Sequence, residues 1–324
     1  MTEPVAMPRF PVRLYAPDLS DWLDGNTGVR GFWSFDSGRP GPHAGIVALT
    51  HGNEIAGAIV LDRMLRAGVR PHTGRLTLGF ANLRAFARFD PAQPTGSRFV
   101  DEDLNRIWDP AVLDGSRRSA ELDRARDIRP LVESFDILLD LHSMLWPSDP
   151  LILSGPSAKG RALAVKIGTP GLVVADHGHV SGARLIDSPV FTEPGRPNAA
   201  CLVEAGQHWE EPTVAQTQAC VDSLLAATGL LDALPAPNAS RCAEVTLAVT
   251  AATAGFAFVQ PYRGGDVVAE RNTLIALDGS SEIRTPHDDC LLVMPSLRPS
   301  RGHTAVRLAR FMDDCEAETA PTCP

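Results

Sequence analysis

His51 and Glu54 stand three residues apart at the end of the run Ile46-Val-Ala-Leu-Thr-His51-Gly-Asn-Glu54. An imidazole and a carboxylate at that spacing are half of a metal site. Four apolar residues that stop at Gly52-Asn53 read as a buried strand ending in a turn. Over residues 55–67 the apolar positions, Ile55, Ile59, Met64 and Leu65 among them, then recur at three- and four-residue steps, as on one face of a helix. His51 and Glu54 therefore fall at the carboxyl end of a strand, the rim where open α/β sheets bind their ligands. Taken alone, the pair is better explained as a capping Glu and a surface His.

A second strand changes that balance. Asp136-Ile-Leu-Leu-Asp140-Leu-His142 is another short apolar run, and it ends in a histidine much as the first ends beside His51. His51, Glu54 and His142 together are the His₂Glu donor set of zinc hydrolases, which leave a fourth position open for water. Asp140 precedes His142 by two residues, so on a strand both side chains point the same way. It is placed either to orient a ligand or to meet backbone amides at a strand end.

Three further stretches bear on chemistry. Glu204 sits near the end of the apolar run Cys201-Leu-Val-Glu204-Ala-Gly206, where a carboxylate is either buried and paired or positioned to move protons. Arg98-Phe-Val-Asp101-Glu-Asp103-Leu-Asn105-Arg106 is either a solvated charge run, with Asp101 and Asp103 neutralising the arginines, or a grip for a carboxylate, to which guanidinium binds bidentately. Composition alone favours the solvated run. Asp176-His177-Gly-His179 has metal-binding residue types but only Asp176 as a nearby carboxylate, so a second metal is not expected. Serine chemistry is disfavoured, because His142 and Ser143 are strand neighbours that point oppositely and no G-x-S-x-G turn exists.

The elements that must carry these groups alternate. Strands near residues 46–49, 75–80, 136–141, 151–154, 171–175 and 201–206 are separated by helices near 55–67, 119–135, 157–167 and 211–231. That order implies an α/β sheet covered on both faces. Residues 234–240 form a Pro-rich linker, and short β-like runs near 243–249, 256–259, 266–269, 273–277 and 290–294 make a small all-β module beyond it. The expected division of the 324 residues is a catalytic α/β domain over 1–234, with an irregular or hairpin lead-in over 1–44, and a β domain over 241–324. The end after Met312 reads as frayed. A net charge of -9 argues against a nucleic-acid partner. No apolar run near the start suits a signal peptide or membrane span, so a soluble cytoplasmic protein is expected. Six scattered cysteines without a C-x-x-C read as buried or incidental thiols.

His51-Gly-Asn-Glu54, Asn82-Leu-Arg-Ala85, the stretch from Arg98 to Arg106, Asp140-Leu-His142 and Val203-Glu204-Ala-Gly206, in that order, resemble the succinylglutamate desuccinylase/aspartoacylase family, a relative of the zinc carboxypeptidases. Each motif is modest, but five in sequence are specific. The resemblance implies a zinc-carboxypeptidase-like α/β/α sandwich with a mixed sheet, followed by a small all-β domain. It implies one Zn2+ per chain on His51, Glu54 and His142, and Glu204 as general base. Arg98 would polarise the scissile carbonyl, and Asn105 and Arg106 would hold the substrate's carboxylate. The implied reaction is amide hydrolysis of a small anionic N-acyl amino acid. A carboxypeptidase-like zinc peptidase and a non-catalytic zinc-binding protein are the alternatives, and homo-oligomerisation is left open. The family's further arginine, shortly before the base, aligns with Arg196 only across a small gap; Arg184 fits less well. Its carboxyl-terminal tyrosine has no clear counterpart in Tyr262, so the acyl group stays open.

Overall fold

The computed structural model describes residues 10–178, 181–235 and 239–315. His179, the middle of the expected linker and the last nine residues lie outside that range. The elements run β1 (Phe32–Asp36), β2 (His43–Ala48), α1 (Ile55–Arg66), β3 (Arg75–Phe80), α2 (Leu83–Phe86), α3 (Pro110–Leu113), α4 (Ala120–Val132), β4 (Ile137–Met144), β5 (Leu151–Gly155), α5 (Ala158–Ile167), β6 (Leu172–Ala175), α6 (Pro189–Thr192), β7 (Ala199–Gln207) and α7 (Glu211–Ala227). After these come only strands: β8 (Arg241–Thr250), β9 (Phe256–Phe258), β10 (Val267–Val268), β11 (Leu274–Asp278), β12 (Ser281–Arg284), β13 (Cys290–Val293) and β14 (Thr304–Phe311).

Eleven strands form one mixed sheet in the order β1-β3-β2-β4-β7-β5-β6-β8-β14-β13-β10, and β12-β11-β9 form a smaller antiparallel sheet. The centre is three adjacent parallel strands, β2, β4 and β7. Being buried on both sides, they are apolar at nearly every position. Alternate residues serve opposite faces: Ile46 and Ala48 pack with α1, α5 and α7, whereas Val47 packs with Phe135 and the apolar side of α4. This is the expected α/β/α sandwich with a mixed sheet. α4 accommodates Pro130 because it falls in the last turn, two residues before the helix ends at Val132, where its missing N–H costs a single helical hydrogen bond. No helix among the described residues is long and apolar enough to cross a membrane.

Several details differ from the sequence reading. Among the described residues the lead-in is irregular up to Gly31, and then Phe32–Asp36 pairs antiparallel with β3 rather than within the lead-in and becomes the edge of the main sheet. Of the carboxyl-terminal strands, β8, β14, β13 and β10 join that same sheet, because β8 pairs parallel with β6. The cysteines are not all thiols. Cys242 and Cys315, 73 residues apart, form a disulfide, while Cys201, Cys220 and Cys290 are free and buried. The disulfide also ties the segment after Met312 down as far as Cys315, so that stretch is not frayed. Such a bond is commoner in oxidising compartments than in the reducing cytoplasm, and it weighs against the cytoplasmic expectation.

Gly45 on β2 shows how tightly the central strands are covered. A Cβ there would lie 2.3 Å from Phe135 Cε2. Gly45→Ala is expected to destabilise the fold by about 1–3 kcal/mol through overpacking, read as a shifted urea midpoint with unchanged slope; an unshifted midpoint would show that Phe135 yields freely.

Candidate active site

The three central strands end side by side, and each delivers a functional group at its carboxyl end. β2 stops at Ala48. The next residue, Leu49, takes a left-handed conformation (φ 60°), which turns the chain out of the sheet toward His51. Gly52 then runs so close to α2 and the arginine loop that a Cβ would sit 2.4 Å from the Ala85 carbonyl carbon and 2.6 Å from Ser97 O. Only glycine fits that approach. Glu54 follows as the residue before α1, where the helix amino terminus favours a negative charge. On β4, His142 lies directly opposite Glu204 of β7 in the sheet register.

His51, Glu54 and His142 meet. One ligand atom from each lies within 4.8 Å of the others, and all three residues are buried. His51 Nδ1 stands 2.8 Å from Glu54 Oε1, and His142 Nδ1 stands 3.0 Å from Oε2. The two Nε2 atoms face away, each against its own carboxylate: His51 with Asp103 Oδ1 at 2.9 Å, His142 with Asp140 Oδ2 at 2.8 Å. Thr50 donates to the other Asp140 oxygen at 2.8 Å, and the Ser143 amide donates to Glu54 Oε2 at 3.0 Å. Asp140 thus takes the orienting role allowed for it by sequence. A carboxylate on the far nitrogen fixes ring orientation and raises basicity, as in metal-ligating histidines. Two Nδ1 atoms and a carboxylate converging in the interior form a donor set that fits a divalent cation.

Charge in this cluster is mutually held. Burial opposes ionisation of Glu54, yet the two imidazoles keep its carboxyl well below the usual range. Burial likewise opposes protonation of His142, and Asp140 and Glu54 outweigh it, holding the imidazole well above its ordinary value. Glu204 has no such match. Burial dominates and pushes its carboxyl up to about 8. Its Oε2 is buried with no hydrogen-bond partner among the described residues.

The arginine loop comes to the same place because α4 holds it. Glu121, fully buried on α4, accepts from Asn82 Nδ2 (3.0 Å) and from three consecutive amides, Val100, Asp101 and Glu102 (2.6, 3.0 and 3.2 Å). Asp101 returns the tie by accepting from the Ala120 amide at 2.7 Å. The loop so fixed sets Arg98 against the cluster, with Nη2 3.2 Å from Asp103 Oδ2 and Nη1 3.4 Å from Glu54 Oε1. Asn105 is buried and its Oδ1 accepts from the Leu185 amide at 2.9 Å. Burial first, then the charges of Arg98, Arg307 and Arg184, push Arg106 down to about 10 against the pull of Asp103.

Two sequence assignments fare differently. Arg196 precedes the amino end of β7, with Glu204 five residues further along the strand than Ala199, roughly 17 Å at strand rise; it is about half exposed and paired with Glu193 at 2.8 Å. It is not brought to the site. Arg184 is buried, but both its faces are taken by Asp176 and Asp187. Asp176 being thus occupied, and His177 lying 3.5 Å from Glu244, the described part of that loop makes no metal cluster. Tyr262 packs in the carboxyl-terminal core against Phe258. Sequence reasoning did not assign Asp103, Glu121, His208 or Arg307. Asp103 and Glu121 were visible only as charges, and their partners lie tens of residues away.

Residues 40–151 match the family model described as the succinylglutamate desuccinylase/aspartoacylase catalytic domain. The resemblance to that family holds. Among solved structures, a succinylglutamate desuccinylase from Vibrio cholerae is 16% identical, with a TM-score of 0.68 and 88% of each chain covered. A product-bound ectoine utilization protein from Ruegeria pomeroyi is 19% identical, with a TM-score of 0.62, covering 83% of this chain and 85% of its own. Murine aminoacylase 3 is 17% identical, at a TM-score of 0.62, with 85% of this chain and 96% of its own covered. At those identities the likeness establishes the family's fold.

His208, just beyond β7, is buried against Ser143, whose Oγ lies 2.7 Å from Nδ1. Burial pushes this imidazole down to about 4 from an ordinary 6.5. Between those values the unfolded chain binds a proton that the folded one refuses, so stability falls as pH drops from about 6.5 to about 4, by on the order of 3 kcal/mol. Urea unfolding of His208→Gln should show a shallower loss over that window; an identical pH slope in variant and parent would contradict it.

Proposed function

We propose that this chain is a zinc-dependent amidohydrolase that cleaves a small N-acyl amino acid to a carboxylate and a free amino acid. The observation that carries the reading is Glu204, a buried carboxyl with an unpartnered oxygen, set opposite His142 and beside a converging His₂Glu donor set. A structural metal site has no need of such a group. The family is named for two deacylases of small acyl amino acids, which supports the substrate class.

His51, Glu54 and His142 would hold the ion, whose N, N, O donor set suits zinc; when bound it would supply Lewis acidity at the amide oxygen and lower the pKa of water at the site toward ~7. The remaining work falls to side chains. Glu204 Oε2 takes a proton from the attacking water as the C–O bond forms. It returns that proton to the departing nitrogen as the C–N bond breaks, so a carboxyl poised near neutrality serves both steps. Arg98 is about one-third exposed at the edge of the cluster, placed to donate a remaining N–H to the oxyanion that develops on the carbonyl oxygen. Asn105 and Arg106 hold the substrate's free carboxylate, and the partly buried guanidinium remains charged because even about 10 is well above working pH. Asp103 and Asp140 keep the imidazoles turned so that both Nδ1 atoms face inward.

The test is a panel of N-acetyl, N-succinyl and N-formyl amino acids, with short peptides as controls, run on parent and Glu204→Gln proteins. The parent should hydrolyse a member of the acyl amino acid set in preference to peptides. Glu204→Gln should keep its metal and lose about 10²–10⁴-fold in kcat. Undiminished turnover in that variant would remove Glu204 from the mechanism, and preference for peptides would replace the deacylase with a carboxypeptidase.

A further inference from the structure

Arg307 lies on β14, far from the site in sequence. Val306 and Leu308 on either side of it belong to the carboxyl-terminal core, while Ala309 belongs to the apolar cluster that also holds Leu185 and Ile186. By strand alternation Arg307 shares the face of Ala309, the face that meets the loop carrying Arg184. Only 9% of its surface is exposed. A guanidinium buried to that degree needs compensation.

Its compensation is a carboxylate charge held at a distance rather than a hydrogen-bonded pair. Arg184 takes both oxygens of Asp176, at 2.9 and 2.8 Å, and both of Asp187, at 2.8 and 2.9 Å. Two carboxylates around one guanidinium leave a negative charge over. Arg307 Nε stands 3.8 Å from Asp176 Oδ2, near enough to be balanced by that surplus and too far to hydrogen-bond. Arg106 is the neighbouring cation. It donates from Nη1 to Asn105 O at 2.6 Å, and no carboxylate of the described residues comes within salt-bridge reach. The loop that carries Arg184 lies directly on the Arg106 stretch: the Leu185 amide donates to Asn105 Oδ1 at 2.9 Å, the Trp108 amide donates to Ala183 O at 3.1 Å, and a Cβ on Gly182 would overlap Arg106 O. Across that loop the charge of Arg307 reaches both Arg106 and Glu204. Arg106 and Arg307 thus flank the loop that carries Arg184, and Arg307 is balanced by charge at a distance rather than by a hydrogen-bonded carboxylate.

We propose that Arg307 is a specificity-determining residue that joins Arg106 in gripping the substrate's free carboxylate. The inference rests on the reading of Arg106 given above, and it makes the carboxyl-terminal strands part of the substrate site. Asp176, Asp187 and Arg184 are then the platform that keeps Arg307 charged and in place. The substrates favoured are acyl amino acids whose carboxylate is bare, and their amides are poor ligands.

Calorimetric binding of N-acetylglycine and N-acetylglycinamide to the metal-replete protein separates the possibilities. The parent should prefer the carboxylate. Arg307→Met should weaken N-acetylglycine about 30-fold or more and leave the amide within about 3-fold. Arg307→Lys, which keeps the charge and the fold but not the planar fork, should fall between. Combined with Arg106→Ala, the loss should be smaller than the product of the single losses, because one anion is shared. Equal weakening of both ligands by Arg307→Met, or parent-like preference in Arg307→Lys and Arg307→Met while Arg106→Ala alone is selective, would reduce Arg307 to a counter-ion of Asp176. A parent protein indifferent to the carboxylate would overturn the Arg106 reading as well.

Discussion

Glu54 can keep its charge in the interior only because two imidazoles face it, one on each oxygen. Everything else near the site follows from making that arrangement tolerable. Each imidazole needs an anion behind it, which Asp103 and Asp140 supply. Asp103 arrives on a loop, and the loop is fixed by Glu121. The parallel register of β2, β4 and β7 places these groups at one end of the sheet, so a change in pairing would scatter them. Such a network is stabilising only when complete, since any member removed leaves a buried charge without its match.

Glu204 and Arg106 are the two places where the matching is left unfinished. Burial keeps Glu204 near neutrality, and crowding by other guanidiniums lowers Arg106. Incomplete pairing costs stability, and it persists at sites that act on a ligand. The contrast with Arg184 is instructive. It is buried, and four of its five N–H donors go to Asp176 and Asp187, so it is committed to supporting the site.

The fold and the core of the site were legible because both leave local signatures. Apolar runs that stop at a turn place His51, His142 and Glu204 at strand ends, and alternation with helices dictates the layered sheet. The rest was hidden by distance. Asp103 and Asp101 were read as neutralising arginines, and Asp103 does bind Arg98, but it also turns His51, 52 residues earlier; Asp101 instead caps α4. Glu121 appears in sequence as an ordinary charge on an amphipathic helix. Cys242 and Cys315 have no motif spacing and meet only because β8 and the segment after β14 run side by side. Arg196 aligned with the family's arginine before the base only across a small gap, and it precedes β7, whose five residues from Ala199 to Glu204 carry the base roughly 17 Å further on.

The central claim is that His51, Glu54 and His142 close on one cation. The most direct measurement is elemental analysis of zinc in the desalted protein, parent beside Glu54→Ala, after equal exposure to the metal. About one equivalent per chain in the parent and near none in the variant is expected. A parent without zinc, or a variant that retains its full complement, would contradict the account.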